Sequence, residues 1–131
     1  MDFVSEVITD DKKSLCAVLL QALVNESDAI DTAVLASPDG LMLAGTGIDD
    51  ELDVMAAMSA SLISLADALS SRSEDGHCDK VLSESSDGTL VVLHAGGLIL
   101  TVLGKAQANM GLVLSASRDA AKKITQAIEK S

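Results

Sequence analysis

Aromatic side chains are almost missing from this sequence: of 131 residues Phe3 is the only one, with no Trp and no Tyr. Pockets that hold small ligands usually recruit such side chains, so a ligand-sensing domain is disfavoured. Cationic residues are scarce as well, 9 Lys and Arg against 20 Asp and Glu, for a net charge of -11. Nucleic acid and anionic membrane surfaces need clustered Lys and Arg, and neither is an expected partner. The two cysteines, Cys16 and Cys78, form no CxxC pair and no disulfide framework. Cys16, among Leu15, Val18 and Leu19 of a predicted helix, reads as an inert buried thiol. Cys78 reads as a reduced thiol in a loop or at a strand start. The hydrophobic fraction of 48% is high, yet no stretch reaches the roughly 18 uninterrupted apolar residues of a membrane span. The charge-free run from Thr89 to Gly104 is broken by His94 and by Gly96-Gly97. The segment Met1 to Glu6 lacks the basic region and apolar core of a signal peptide, so the expected compartment is the cytoplasm.

Catalytic and metal-binding patterns are missing too. Neither GxxxxGK[ST] nor GxGxxG occurs, and Gly45-Thr46-Gly47 is only a loop after a strand. No serine stands in a GxSxG elbow, and neither histidine has an evident nucleophile or orienting carboxylate beside it. His77, Cys78 and His94 have poor spacing for zinc. Asp49-Asp50-Glu51-Asp53 lacks the glycine and closing glutamate of a calcium loop and reads as helix capping. No cofactor, metal or catalytic residue is expected, and an enzyme is disfavoured.

What the chain does have is a long helix, predicted over Leu52 to Ser71, with almost no face suited to water. Met55, Met58, Leu62, Leu65 and Leu69 recur at three-and-four spacing on one stripe. Ala56, Ala60 and Ser64 lie on another side, and from Val54 to Ala66 there is no charge. A helix apolar or small all round is normally buried all round. The stripe of larger side chains is therefore expected on a sheet, with the small side against a second helix or another subunit.

Around this helix the pattern is regular. A helix is predicted over Lys12 to Asn25, with Asp10 and Asp11 as N-cap candidates and Leu15, Leu19, Ala22 and Leu23 on its buried side. It follows a frayed arm of residues 1–11, and residues 12–131 read as a single domain. Apolar runs Ile30 to Ser37 and Leu41 to Gly45 flank Pro38-Asp39-Gly40, which makes a hairpin. Lys80 to Ser85, Thr89 to Ala95 and Leu98 to Gly104 read as a three-strand meander. Leu90 to Leu93 and Leu98 to Leu100 are continuously apolar, which implies strands covered on both faces. A last helix runs from about Asn109 to Lys130, with Arg118, Lys122, Lys123 and Lys130 on a solvated face that suits the dipole. Arg72 reads as a dipole complement at the end of the long helix.

This element order, with particular residues, resembles the Roadblock family of dynein-light-chain-like proteins. The carrying segments are Ala33-Val34-Leu35-Ala36-Ser37-Pro38-Asp39-Gly40-Leu41, Ser61-Leu62-Ile63-Ser64-Leu65-Ala66, Gly97-Leu98-Ile99-Leu100-Thr101-Val102-Leu103 and Asn109-Met110-Gly111-Leu112-Val113. The resemblance implies a profilin-like α/β sandwich: one five-stranded antiparallel sheet, the long helix on one face and the two terminal helices on the other. It also implies a homodimer in which the third strand pairs with its partner copy while the two long helices lie side by side. The implied role is a non-catalytic regulator or scaffold of a Ras-like small GTPase, docked on the paired helices. A structural dimerisation module without a GTPase, and a small-ligand sensor of similar fold, are the alternatives. With the Met and Leu stripe on the sheet, the expected partner and dimer residues are Ala56, Ala60, Ile63, Ser64 and Asp67 on the helix. Lys80, Val81, Leu82 and Ser83 are expected at the strand seam.

Overall fold

In the computed structural model, which describes residues 8–129, the chain forms α1 (Asp10–Glu26), β1 (Ile30–Ala36), β2 (Met42–Gly45), α2 (Asp49–Ser70), β3 (Lys80–Ser85), β4 (Gly88–Ala95), β5 (Leu98–Gly104) and α3 (Met110–Glu129). The strands make one antiparallel sheet in the order β2-β1-β5-β4-β3. α1 and α3 lie on one face, and α2 crosses the other. This is the profilin-like sandwich that the resemblance implies.

Register explains the unbroken apolar strands. Val34, Thr101, Val92 and Val81 align across four strands and point to the α2 side, while Leu35, Leu100 and Leu93 align on the α1–α3 side. Because successive side chains alternate faces, a strand covered twice must be apolar at every position. On the α1–α3 side one continuous core joins Cys16 and Leu20 of α1, Val91, Leu100 and Val102 of the sheet, and Val113 and Ile124 of α3. Burial there pushes the Cys16 thiol above its ordinary pKa.

The helix ends differ from the sequence reading. Thr9, not Asp10 or Asp11, caps α1, its hydroxyl accepting from the Lys12 amide at 3.2 Å. Ile8 is buried in the core and Asp10 and Asp11 open α1, so residues 8–11 are not part of the arm predicted over 1–11; the rest of that prediction, with Phe3, and Lys130 lie outside the described residues. On the predicted buried side of α1, Leu15 is instead exposed. Asn109 caps α3, its side-chain oxygen accepting from the Gly111 amide at 2.7 Å. At α2 the first residue outside the helix is Ile48, with no side-chain cap; Asp49, Asp50 and Glu51 in the first turn act through the helix dipole alone. No basic residue occupies the last turn of α3. Its C-terminal carbonyls are met from outside, where the Lys12 ammonium donates to the Ile128 carbonyl at 2.6 Å.

The β1–β2 connection positions the long helix. Ser37 accepts from the Leu41 amide through its hydroxyl and from the Gly40 amide through its carbonyl, and Gly40 takes a φ of 90°. A Cβ on Gly40 would stand 3.1 Å from the Ala57 Cα. The turn therefore sits against the helix backbone, and only small side chains fit beneath it. By length and composition alone α2 is long and apolar enough to cross a membrane, with a mean hydropathy of 1.5 over its best window, of which 28% is buried, although it contains no run of 18 uninterrupted apolar residues. Leu52, Ala56 and Ile63 nevertheless complete the core on this face of the sheet.

Candidate functional site

The long helix lies on the sheet in a rotation that the periodicity did not predict. Its buried line is Leu52, Ala56, Ser59, Ala60 and Ile63, while Met58 and Leu65 are each 65% exposed and Leu69 is 74% exposed. Three of the expected partner residues, Ala56, Ala60 and Ile63, are thus buried inside the chain and open to no partner. The physical reason is the hairpin: Gly40 presses on Ala57 and Ala60, so the small residues serve close approach of a turn within the chain. The Met and Leu stripe is displaced to the flank of the helix.

That flank forms one wall of an open groove of about 600 Å³. Met55, Met58, Leu62 and Leu65 line the helix side, and Leu90, Thr101 and Leu103 form the floor on β4 and β5. The floor includes a buried Thr101 hydroxyl with no hydrogen-bond partner among the described residues. An apolar concavity of this size facing water is unusual on a lone soluble chain.

The remaining expected residues fall into two groups. Ser64 and Asp67 are exposed and border a smaller notch with Pro38 and His94. Asp67 already has a structural task, its carboxylate accepting from the Cys78 amide at 3.0 Å and so fixing the connection into β3. The Cys78 thiol is buried and donates to the Lys80 carbonyl at 3.4 Å. Lys80, Val81, Leu82 and Ser83 lie on β3, the last strand of the sheet, which among the described residues pairs with β4 alone. Lys80 and Val81 are half-buried, and Leu82 and Ser83 are exposed. Among the described residues no strand pairs with the outer edge of β3, so its backbone donors and acceptors face outward.

The residues missed by sequence reasoning are the groove walls and floor. Their signal was present but ambiguous, since α2 carries two stripes at helical spacing and the larger side chains are the natural choice for the core. The contact that decides between them is made by Gly40. Among the described residues no three metal-ligating side chains come together. The His77–Asp79 pair, at 3.0 Å, is exposed on both sides and contributes little.

The family model for the Roadblock/LC7 domain matches residues 17–104. An uncharacterised protein of Methanocaldococcus jannaschii is 30% identical over 110 residues, spanning 82% of this chain and 90% of the relative. The crystal structure of a Roadblock/LC7 domain from Streptomyces avermitilis superposes with a TM-score of 0.79 at 30% identity, covering 87% of this chain and 98% of that one. Myxococcus xanthus MglB superposes with a TM-score of 0.80 at 15% identity, covering 95% and 97%, a likeness of fold. With a family model that spans most of its sequence and a sheet and helices arranged as in a solved member, the chain belongs to the Roadblock/LC7 domain family.

Proposed function

We propose that this chain is a homodimeric, non-catalytic regulator or scaffold that binds a Ras-like small GTPase in the cytoplasm. The observation that carries the reading is the open apolar groove beside α2, because the chain has no described element that fills it. A second copy fills it by symmetry. In an isologous dimer the same patch meets itself, so the Met58 and Leu65 flank of each helix enters the groove of the other. The free edge of β3 lies at the corresponding side of the sheet, and two such edges continue it across the axis. The GTPase part rests on the family resemblance and on the outward side of α2 that such a dimer leaves open.

Leu65→Asp places a charge on the flank at a position that is 65% exposed in the single chain. It should convert dimer to monomer in light scattering while the far-ultraviolet circular dichroism stays the same. Wild-type protein that is monomeric at micromolar concentration would sink the dimer. Calorimetry against the small GTPases of the source organism, each loaded with GDP and with a non-hydrolysable GTP analogue, tests the second part. No binding by any of them leaves the structural module as the better reading, and an apolar molecule carried through purification in the groove favours the sensor.

A further inference from the structure

One row of side chains crosses four strands beneath α2: Val34, Thr101, Val92 and Val81. Thr101 alone in that row is polar, and it sits on β5, the middle strand of the sheet. It is 2% exposed, and its hydroxyl has no hydrogen-bond partner among the described residues. Valine has the same shape, and a buried hydroxyl left unpaired is costlier than the methyl that would replace it. The lone chain therefore gains nothing from a threonine here. The side chain lines the open groove, and rotation about χ1 exchanges hydroxyl with methyl, so the hydroxyl can turn toward a group that arrives in the groove.

Two serines of α2 line the same groove. Ser59 is 5% exposed within its own chain and does not bond Thr101. Ser61 differs, being exposed. It follows Met58 by three residues and precedes Leu65 by four, so at 100° per residue the three share one ridge of the helix. Ser61 is the hydrogen-bonding side chain of that ridge.

We propose that Ser61 of a second copy supplies the partner that Thr101 lacks, and that this hydroxyl pair fixes the register of the dimer. The inference rests on the dimer reading above, in which the Met58 and Leu65 flank of one chain enters the groove of the other. Two-fold symmetry makes the pair twice, each chain giving Ser61 and receiving at Thr101. Apolar contact is non-directional, so Met and Leu side chains alone allow the helices to slide. A hydrogen bond buried among them admits one register and favours a true copy over other apolar surfaces. The hydroxyl then has opposite effects in the two states: it destabilises the separate chain and stabilises the pair.

That opposition is the test. In the monomeric Leu65→Asp background, Thr101→Val should melt at the temperature of its parent or higher. With Leu65 intact, Thr101→Val should raise the dimer dissociation constant about tenfold, the effect of losing two neutral hydrogen bonds of ordinary net strength, read by sedimentation across a dilution series. Ser61→Ala should do the same, and Thr101→Ser should keep most of the association. The double variant Thr101→Val with Ser61→Ala should be no weaker than either single one, because all three remove the same contact. A dissociation constant unmoved by the single variants, or raised additively in the double, overturns the hydroxyl pair and leaves the dimer standing. Loss of stability on Thr101→Val in the monomeric background overturns it too, since the hydroxyl is then satisfied within its own chain. Wild-type protein that stays monomeric overturns the pair together with the dimer reading beneath it.

Discussion

Two helices cover one face of the sheet and a single helix crosses the other, and the cores beneath them differ accordingly. Under α1 and α3 the apolar residues form one continuous cluster, with Leu20, Leu100, Val102, Val113 and Ile124 fully buried. Under α2 they form two separate patches, one around Leu52 and Ala56, the other around Ile63 and Val92. The groove opens beside both. The difference is one of completion: on the first face the described residues close over the sheet, and on the second an apolar groove stays open beside the helix.

That comparison can be broken by substitutions on the two faces. Ile124→Ala, on the closed face, should cost about 2–5 kcal/mol in chemical denaturation, since it opens a cavity in a fully packed region. Leu65→Ala, on the open face, should change the stability of the monomer by less than about 0.5 kcal/mol. A large loss at Leu65 in a monomeric sample, or a negligible one at Ile124, would reverse the assignment of the faces. Gly40→Ala should cost about 1 kcal/mol or more, because φ is 90° there and the added Cβ meets the Ala57 backbone; equal melting temperatures would show that the hairpin does not set the rotation of α2. Lys12→Met removes the cation at the C-terminus of α3 and should cost roughly 0.3–1 kcal/mol, read from the same denaturation curves. The smallest effect belongs to Cys16. Burial raises its pKa, so its contribution is whole below the ordinary thiol pKa and is lost as pH rises through the raised one. A melting series into the alkaline range should fall more steeply for the parent than for Cys16→Ala.

The fold was legible in the sequence because each strand has a local cause. The meander Lys80 to Ser85, Thr89 to Ala95 and Leu98 to Gly104 matches the observed strands to within one residue, since Ser86-Asp87-Gly88 and Gly96-Gly97 punctuate continuous apolar runs. Helix α1 was placed within two residues at each end. The rotation of α2 was not legible, and with it went the burial of Ala56, Ala60 and Ile63. Periodicity names the stripes on a helix without ranking them, and the ranking here is made by a turn nearly twenty residues upstream. The cap of α1 was misassigned, and that of α3 left unread, for a related reason. Thr9 and Asn109 are ordinary polar residues in the sequence, and only the observed helix starts show that their side chains reach backbone amides.

The bond from Lys12 to the Ile128 carbonyl spans 116 positions of the chain. It carries a consequence for the order of assembly. The buried side of α1, with Cys16 and Leu20, rests on a cluster that includes Val113 and Ile124 of α3, so α1 waits in synthesis for a helix made after all five strands. Such distant pairing is slow, because the closure entropy falls due before the contact rewards it. The hairpin and the meander can form locally in the meantime. Hydrogen exchange should accordingly find α1 and α3 opening together, with the inner strands β1 and β5 the last to give way.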